Sequence, residues 1–237
     1  GTGEVVVVGD FDAEAVAGQV AAIFGGWTAP VAFERIAVPY QPTPPLERRI
    51  ETPDKANAMV FLGTRLPMTD AHPDYPALLV GNYIFGGGSM KSRLADRIRQ
   101  AEGLSYGVGA SLSVHPIDDN AALTAYALSA PENVARVLAA FEEERQRLLA
   151  EGVSGQELRD AVDGLLQMRV LGRAEDANLA GQISSNLYFG RTMAWSARQE
   201  AAIAALDVET VNAALRRHLG EVEFSIFSAG DFQALQD

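Results

Sequence analysis

The chain has 237 residues, 48% of them hydrophobic, and sets 19 Lys and Arg against 31 Asp and Glu for a formal charge of -12. That is enough apolar material for a substantial core, whereas an acidic balance with no basic stretch argues against a nucleic-acid partner. No run approaches the ~18 apolar residues that span a bilayer, and a chain without Cys has no disulfide, thiol nucleophile or thiolate metal site, which suits periplasm or cytoplasm alike.

In chain order, the first apolar run, Glu4 to Phe11, reads as a strand that stops at Gly9-Asp10. The same ending recurs 221 positions later, where Gly230-Asp231-Phe232 closes the run from Glu223. Such an echo is expected when one supersecondary unit closes two successive domains of a duplicated architecture. Asp12 is placed to cap a short amphipathic helix over 13–24 with Val16, Val20, Ile23 and Phe24 on one stripe. Six prolines between Thr28 and Pro53 keep the next segment out of helix. The expected organisation is therefore residues 1–28 as the last strand and helix of a preceding domain, 29–47 as a linker, and 48–237 as the main domain.

Within 48–237 strands are expected at 47–52 and 57–63, then a buried helix from Asp74 to Phe85 ending in Gly86-Gly87-Gly88-Ser89. A helix over about 91–102 has Leu94, Ile98 and Ala101 on its core stripe. A hairpin, 105–114 and 121–129, turns around His115 to Asp119. Helices follow at 131–151, 155–172, about 175–189, 193–205 and 208–218, before a closing strand at 223–229. Strands, then a helical block, then a strand describe an α+β fold with helices on one face of a largely antiparallel sheet.

Few residues offer chemistry. The three histidines, His72, His115 and His218, include no helical i, i+4 pair, and His218 opens an H-x-x-E sequence that lacks the second His. No zinc site is expected here, and His218 reads as a helix-end residue facing the dipole. Gly81 to Gly86 has the glycine spacing of a phosphate loop, but Gly87 stands where Lys is required. Those glycines read as a helix stop that lets two backbones approach.

The most informative segment is GGGSMKSRLADRIRQAEGLSYGV, residues 86–108. On an α-helix Arg93 and Arg97 share a face, and Arg99 aligns with Glu102 as a surface pair. On the following strand, alternation groups Tyr106 with Val108, Ala110 and Leu112, opposite a face of Ser and Gly. Read from the residues alone, Tyr106 is a core aromatic and Arg99 a solvated charge.

The pattern of this segment resembles the C-terminal domain of the pitrilysin/insulinase family of zinc metallopeptidases, the family of the mitochondrial processing peptidases and the core subunits of respiratory complex III. VVVVGDFD followed by a helix ending IFGGW, the Pro-rich linker, His72-Pro73-Asp74-Tyr75-Pro76, and Gly152 to Leu158 extend the resemblance. It implies the fold of the mitochondrial-processing-peptidase type and one half of a two-half enzyme that cleaves peptides. Zinc is expected in an N-terminal half or partner subunit outside this sequence, and the chain alone is expected to be inactive. The family's Arg and, seven residues on, its Tyr correspond to Arg99 and Tyr106, which the resemblance makes the catalytic and substrate-binding pair. A homodimer or heterodimer is open, as is the alternative of a non-catalytic partner or structural subunit.

Overall fold

In the computed structural model of the chain, residues 3–88 and 91–233 are described. Ser89 and Met90 of the glycine-rich segment lie outside them. The chain forms two compact units: one comprises residues up to Ala37 with 166–200, the other 38–165 with 201 onward.

The larger unit is built on a five-stranded sheet. Its strands are β1 (Glu47–Glu51), β2 (Ala58–Leu66), β3 (Ser105–Val114), β4 (Ala121–Ser129) and β5 (Ser225–Gly230), in the order β1-β5-β2-β4-β3. Only β1 and β5 run parallel; every other pairing is antiparallel. Alternation explains its two faces: Val60, Leu62, Leu123, Ala125 and Ala127 are buried, while Met59, Phe61 and Tyr126 on the opposite face stand in solvent.

Helices of the same unit cover the apolar face. In chain order the α-helices of both units are α1 (Ala13–Phe24), α2 (Tyr75–Asn82), α3 (Val134–Glu151), α4 (Gly155–Arg173), α5 (Asp176–Tyr188), α6 (Met193–Ala204) and α7 (Val208–Leu219), of which α2, α3 and α7 lie wholly in the larger unit. Helix α2 continues into a π-helical turn, Tyr83–Gly87, and a second π-helical stretch covers Ala95–Ala101. A Cβ on Gly81 would stand 2.7 Å from Leu215 of α7, and one on Gly86 would stand 2.8 Å from the Ala110 backbone nitrogen. These glycines set how closely α2 meets α7 and how closely the π-turn meets β3. Helix α3 ends at Gly152, whose φ of +75° suits glycine, and Asn212 Oδ1 accepts from the next amide at 2.8 Å.

Helix α4 opens with a capping box. Ser154 Oγ accepts from the Glu157 amide at 3.2 Å and Glu157 Oε2 accepts from the Ser154 amide at 2.8 Å. Arg93 donates to both Glu157 oxygens and to the Gly152 carbonyl, tying the glycine-rich segment to this junction. Burial pushes the Glu157 carboxyl up, but the hydrogen bonds from Arg93 and Ser154 outweigh it and hold its pKa at about 2.

In the smaller unit Asp12 caps α1 as expected, accepting from the Ala15 amide at 2.9 Å. The carboxylate of Glu200 pairs with Arg173, Gln182 donates to Ser196 Oγ at 3.2 Å, and Arg191 lies over the Trp195 ring at 4.2 Å. The strand expected over 4–11 does not form: these residues join no ladder. Valines supply β-propensity, but a strand also needs a partner edge. Within 29–47, Val38 is held at the hairpin end of the larger unit, donating to Asp118 Oδ2 (2.7 Å) and accepting from Asn120 (2.8 Å). No helix of the described residues is long and apolar enough to cross a membrane.

Candidate functional site

The two residues singled out by the resemblance line one hollow of about 360 Å3. Arg99 comes from the second π-helical stretch and Tyr106 from the start of β3, the edge strand of the sheet. Gly86, Gly87, Gly107, Gly109 and Tyr126 are among the other lining residues. Gly87 and Gly107 leave main chain accessible at the wall, whereas Gly86 and Gly109 are buried.

Tyr106 is not a core residue. It is 64% exposed, because β3 carries a bulge between Ser105 and Gly107: Ser105 pairs with Ser129, Gly107 with the adjacent Leu128, and Tyr106 has no place in the ladder. Ser105 sustains the bulge. Its buried Oγ donates to the Leu128 carbonyl at 2.6 Å and accepts from the Gly107 amide at 3.1 Å, satisfying groups the ladder leaves over. Strict alternation, which put Tyr106 beside Val108, fails at the one residue where an extra position is inserted.

The expected Arg99–Glu102 pairing also fails. Glu102 is taken by Arg97 at 2.5 Å and by Arg136 at 3.4 Å. The helix here closes i→i+5 bonds, as Glu102 N to Arg97 O at 3.2 Å shows, so residues five apart meet instead of residues three apart. Leu94 and Ile98 are buried as the stripe requires, but Ala101 is exposed and Ala95 takes its place. Arg93 and Arg97 do share a face, turned to Glu144 and Glu143 of α3.

Sequence distance concealed one cluster. His72, Asp74 and His218 bring ligand-type atoms within 4.8 Å of one another. Zinc fits them poorly. His72 Nδ1 accepts the Asp74 amide hydrogen at 3.1 Å, so the neutral ring carries its proton on Nε2 and has no lone pair to offer there. His218 Nε2 lies 2.8 Å from Asp74 Oδ2, which Arg217 also contacts. The group is an ion-paired clasp joining the end of α7 to the start of α2. Burial raises the Asp74 carboxyl, yet hydrogen bonds from His218 and Arg217 bring it below the ordinary range.

Tyr126 and Ala95 are lining residues that sequence reading missed. Nothing in β4 alone marks Tyr126; its significance arises from lying opposite Gly109, which is a matter of register.

Fold and site define a class: an α+β domain with a one-sided sheet, an Arg/Tyr hollow beside its edge strand, and no fitting zinc centre among the described residues. The model of the peptidase M16 inactive domain matches residues 4–165, and the chain belongs to this family of zinc proteases. It is 31% identical over 169 residues to uncharacterized zinc proteases of Mycobacterium bovis and Mycobacterium tuberculosis, covering 70% of this chain and 37% of each relative. The chain thus spans little more than a third of those relatives. The peptidase M16 inactive domain from Pseudomonas fluorescens superposes with a TM-score of 0.72 at 28% identity, over 92% of this chain and 50% of that one. A protease from Helicobacter pylori superposes at 0.78 with 15% identity, over 94% and 54%, and bears on the fold alone.

Proposed function

We propose that this chain is the substrate-binding, zinc-free half of a zinc metalloendopeptidase, acting with a zinc-bearing domain or subunit, and that residues 1–28 are the tail of the domain preceding it. Tyr106 donates its hydroxyl to the scissile carbonyl as negative charge develops, and Arg99 holds substrate main chain beside it. The observation that carries this reading is the shared hollow: an exposed tyrosine and an arginine, seven residues apart in sequence, line it together with the accessible backbone of Gly87 and Gly107. A tyrosine thrown outward by a bulge stabilises no core, and bulges often re-aim a side chain at a site.

The test is peptide hydrolysis by the full assembly containing the zinc-bearing half. Tyr106→Phe is expected to lower kcat about 10- to 1000-fold, the usual cost of one such donor, with the thermal melt unchanged. Arg99→Ala is expected to weaken binding and turnover together. Normal hydrolysis by both folded variants removes the catalytic reading.

A further inference from the structure

Tyr106 is aimed by its backbone. Its phenol has no hydrogen-bond partner among the described residues, and at 64% exposure the side chain is little restrained by packing. A tyrosine of this kind points where its main chain sends it, within a few staggered rotamers. The place of its hydroxyl relative to Arg99 is therefore decided by the seven residues that join them.

Both ends of that span are fixed. Toward Arg99, the Glu102 amide donates to the Arg97 carbonyl at 3.2 Å and the Leu104 amide to the Ile98 carbonyl at 2.9 Å. Gly103 turns the chain between them at a φ of +62°, and Leu104 is buried. On the other side, β3 from Gly107 onward is held by its ladder to β4. The slack between these anchors is the bulge, and it cannot relax by sliding. Pairing Tyr106 with Leu128 would move 107–114 by one position and turn every side chain there to the other face.

Ser105 gives the bulge its shape. Its hydroxyl has a single proton, with the Leu128 carbonyl at 2.6 Å and the Gly107 carbonyl at 2.8 Å, and its oxygen accepts from the Gly107 amide at 3.1 Å. One buried oxygen thus ties the residue before Tyr106 to the residue after it and to the partner strand.

We propose that Ser105 is a positioning residue: without touching substrate, its hydroxyl locks the bulge so that the Tyr106 hydroxyl stands at the reacting carbonyl beside Arg99. This rests on the reading of Tyr106 as the carbonyl donor. Such a donor works only where the charge develops, and a misplacement of about 1 Å costs on the order of 100-fold in rate. A serine that merely satisfied buried backbone groups would alter stability and leave the chemical step alone.

The test is hydrolysis of an internally quenched peptide by the full assembly containing the zinc-bearing half. Ser105→Ala is expected to lower kcat about 10- to 100-fold with KM within about two-fold of wild type. In the Tyr106→Phe background the same change should cost nothing further, because the hydroxyl it displaces is already gone. Ser105→Cys fills the same space with a weaker donor; it is expected to lose kcat in the same sense but less, and it carries the test if Ser105→Ala does not fold. In this chain, NMR hydrogen exchange of the Gly107 amide should quicken about ten-fold or more in either variant. Unchanged kcat in the folded variants, a loss confined to KM, or unchanged Gly107 exchange overturns the proposal. So does an equal loss of kcat in the wild-type and Tyr106→Phe backgrounds, since Ser105 would then act on something other than the phenol. The two readings fail separately. Normal hydrolysis by Tyr106→Phe removes the carbonyl-donor reading and this inference with it, whereas slow hydrolysis by Tyr106→Phe beside normal hydrolysis by Ser105→Ala removes this inference alone.

Discussion

Tyr126 lies directly opposite Gly109 across the β3–β4 ladder, and a Cβ on Gly109 would stand 3.1 Å from its ring. The ring covers main chain that a side chain would otherwise hide, which makes Gly109 part of the wall of the hollow. Gly109→Val suits a strand but must push the ring aside. The expected result is a melting temperature within a few degrees of wild type and peptide affinity reduced several-fold by anisotropy.

Gly86 has no such latitude. An added Cβ meets Ala110 Cβ at 2.6 Å and Ala110 N at 2.8 Å, and backbone cannot swing away as a ring can. Gly86→Ala is expected to cost about 1–3 kcal/mol through overpacking. For a chain of this size that lowers the melting temperature by roughly 2–12 °C, read by calorimetry.

The Arg93–Glu157 junction makes stability depend on pH. Because the folded-state pKa of Glu157, about 2, lies below the ordinary 4.5, the unfolded chain binds this proton more readily than the folded one. Its stabilisation is complete above pH 4.5 and drains away as pH falls toward 2, at no more than about 1.4 kcal/mol per pH unit. Urea unfolding of wild type and Glu157→Gln between pH 2 and 6 should give curves that converge at the acid end and separate above 4.5. Parallel curves throughout would contradict the linkage.

The His72, Asp74 and His218 clasp is expected to hold without metal. Treatment with a chelator should leave the melting temperature unchanged, and added zinc should not raise it at stoichiometric concentration. His218→Ala should destabilise by about 1 kcal/mol, as loss of a charge-assisted hydrogen bond to a carboxylate does. Tight stoichiometric zinc that His218→Ala abolishes would show that the metal displaces the amide hydrogen bond to His72.

Local chemistry was enough to place most elements. The apolar periodicity read over 131–151 and 208–218, the cap at Asp12, and the two runs of the β3–β4 hairpin each depend on neighbours a few residues away, so the sequence carries them. The Arg99/Tyr106 spacing was equally legible, by resemblance. What sequence alone left open depends on partners far along the chain. The bulge that exposes Tyr106 exists because Ser105 finds the Leu128 carbonyl, and the π-helical winding that gives Glu102 to Arg97 changes which residues face one another. Tyr126 meets Gly109 only through the β3–β4 register, and His72 and Asp74 meet His218 only when α7 returns to α2. Periodicity says which face of an element is apolar; only the assembled ladder and helix packing decide which side chains on different elements become neighbours, since a shift of one residue in strand register turns every side chain to the other face.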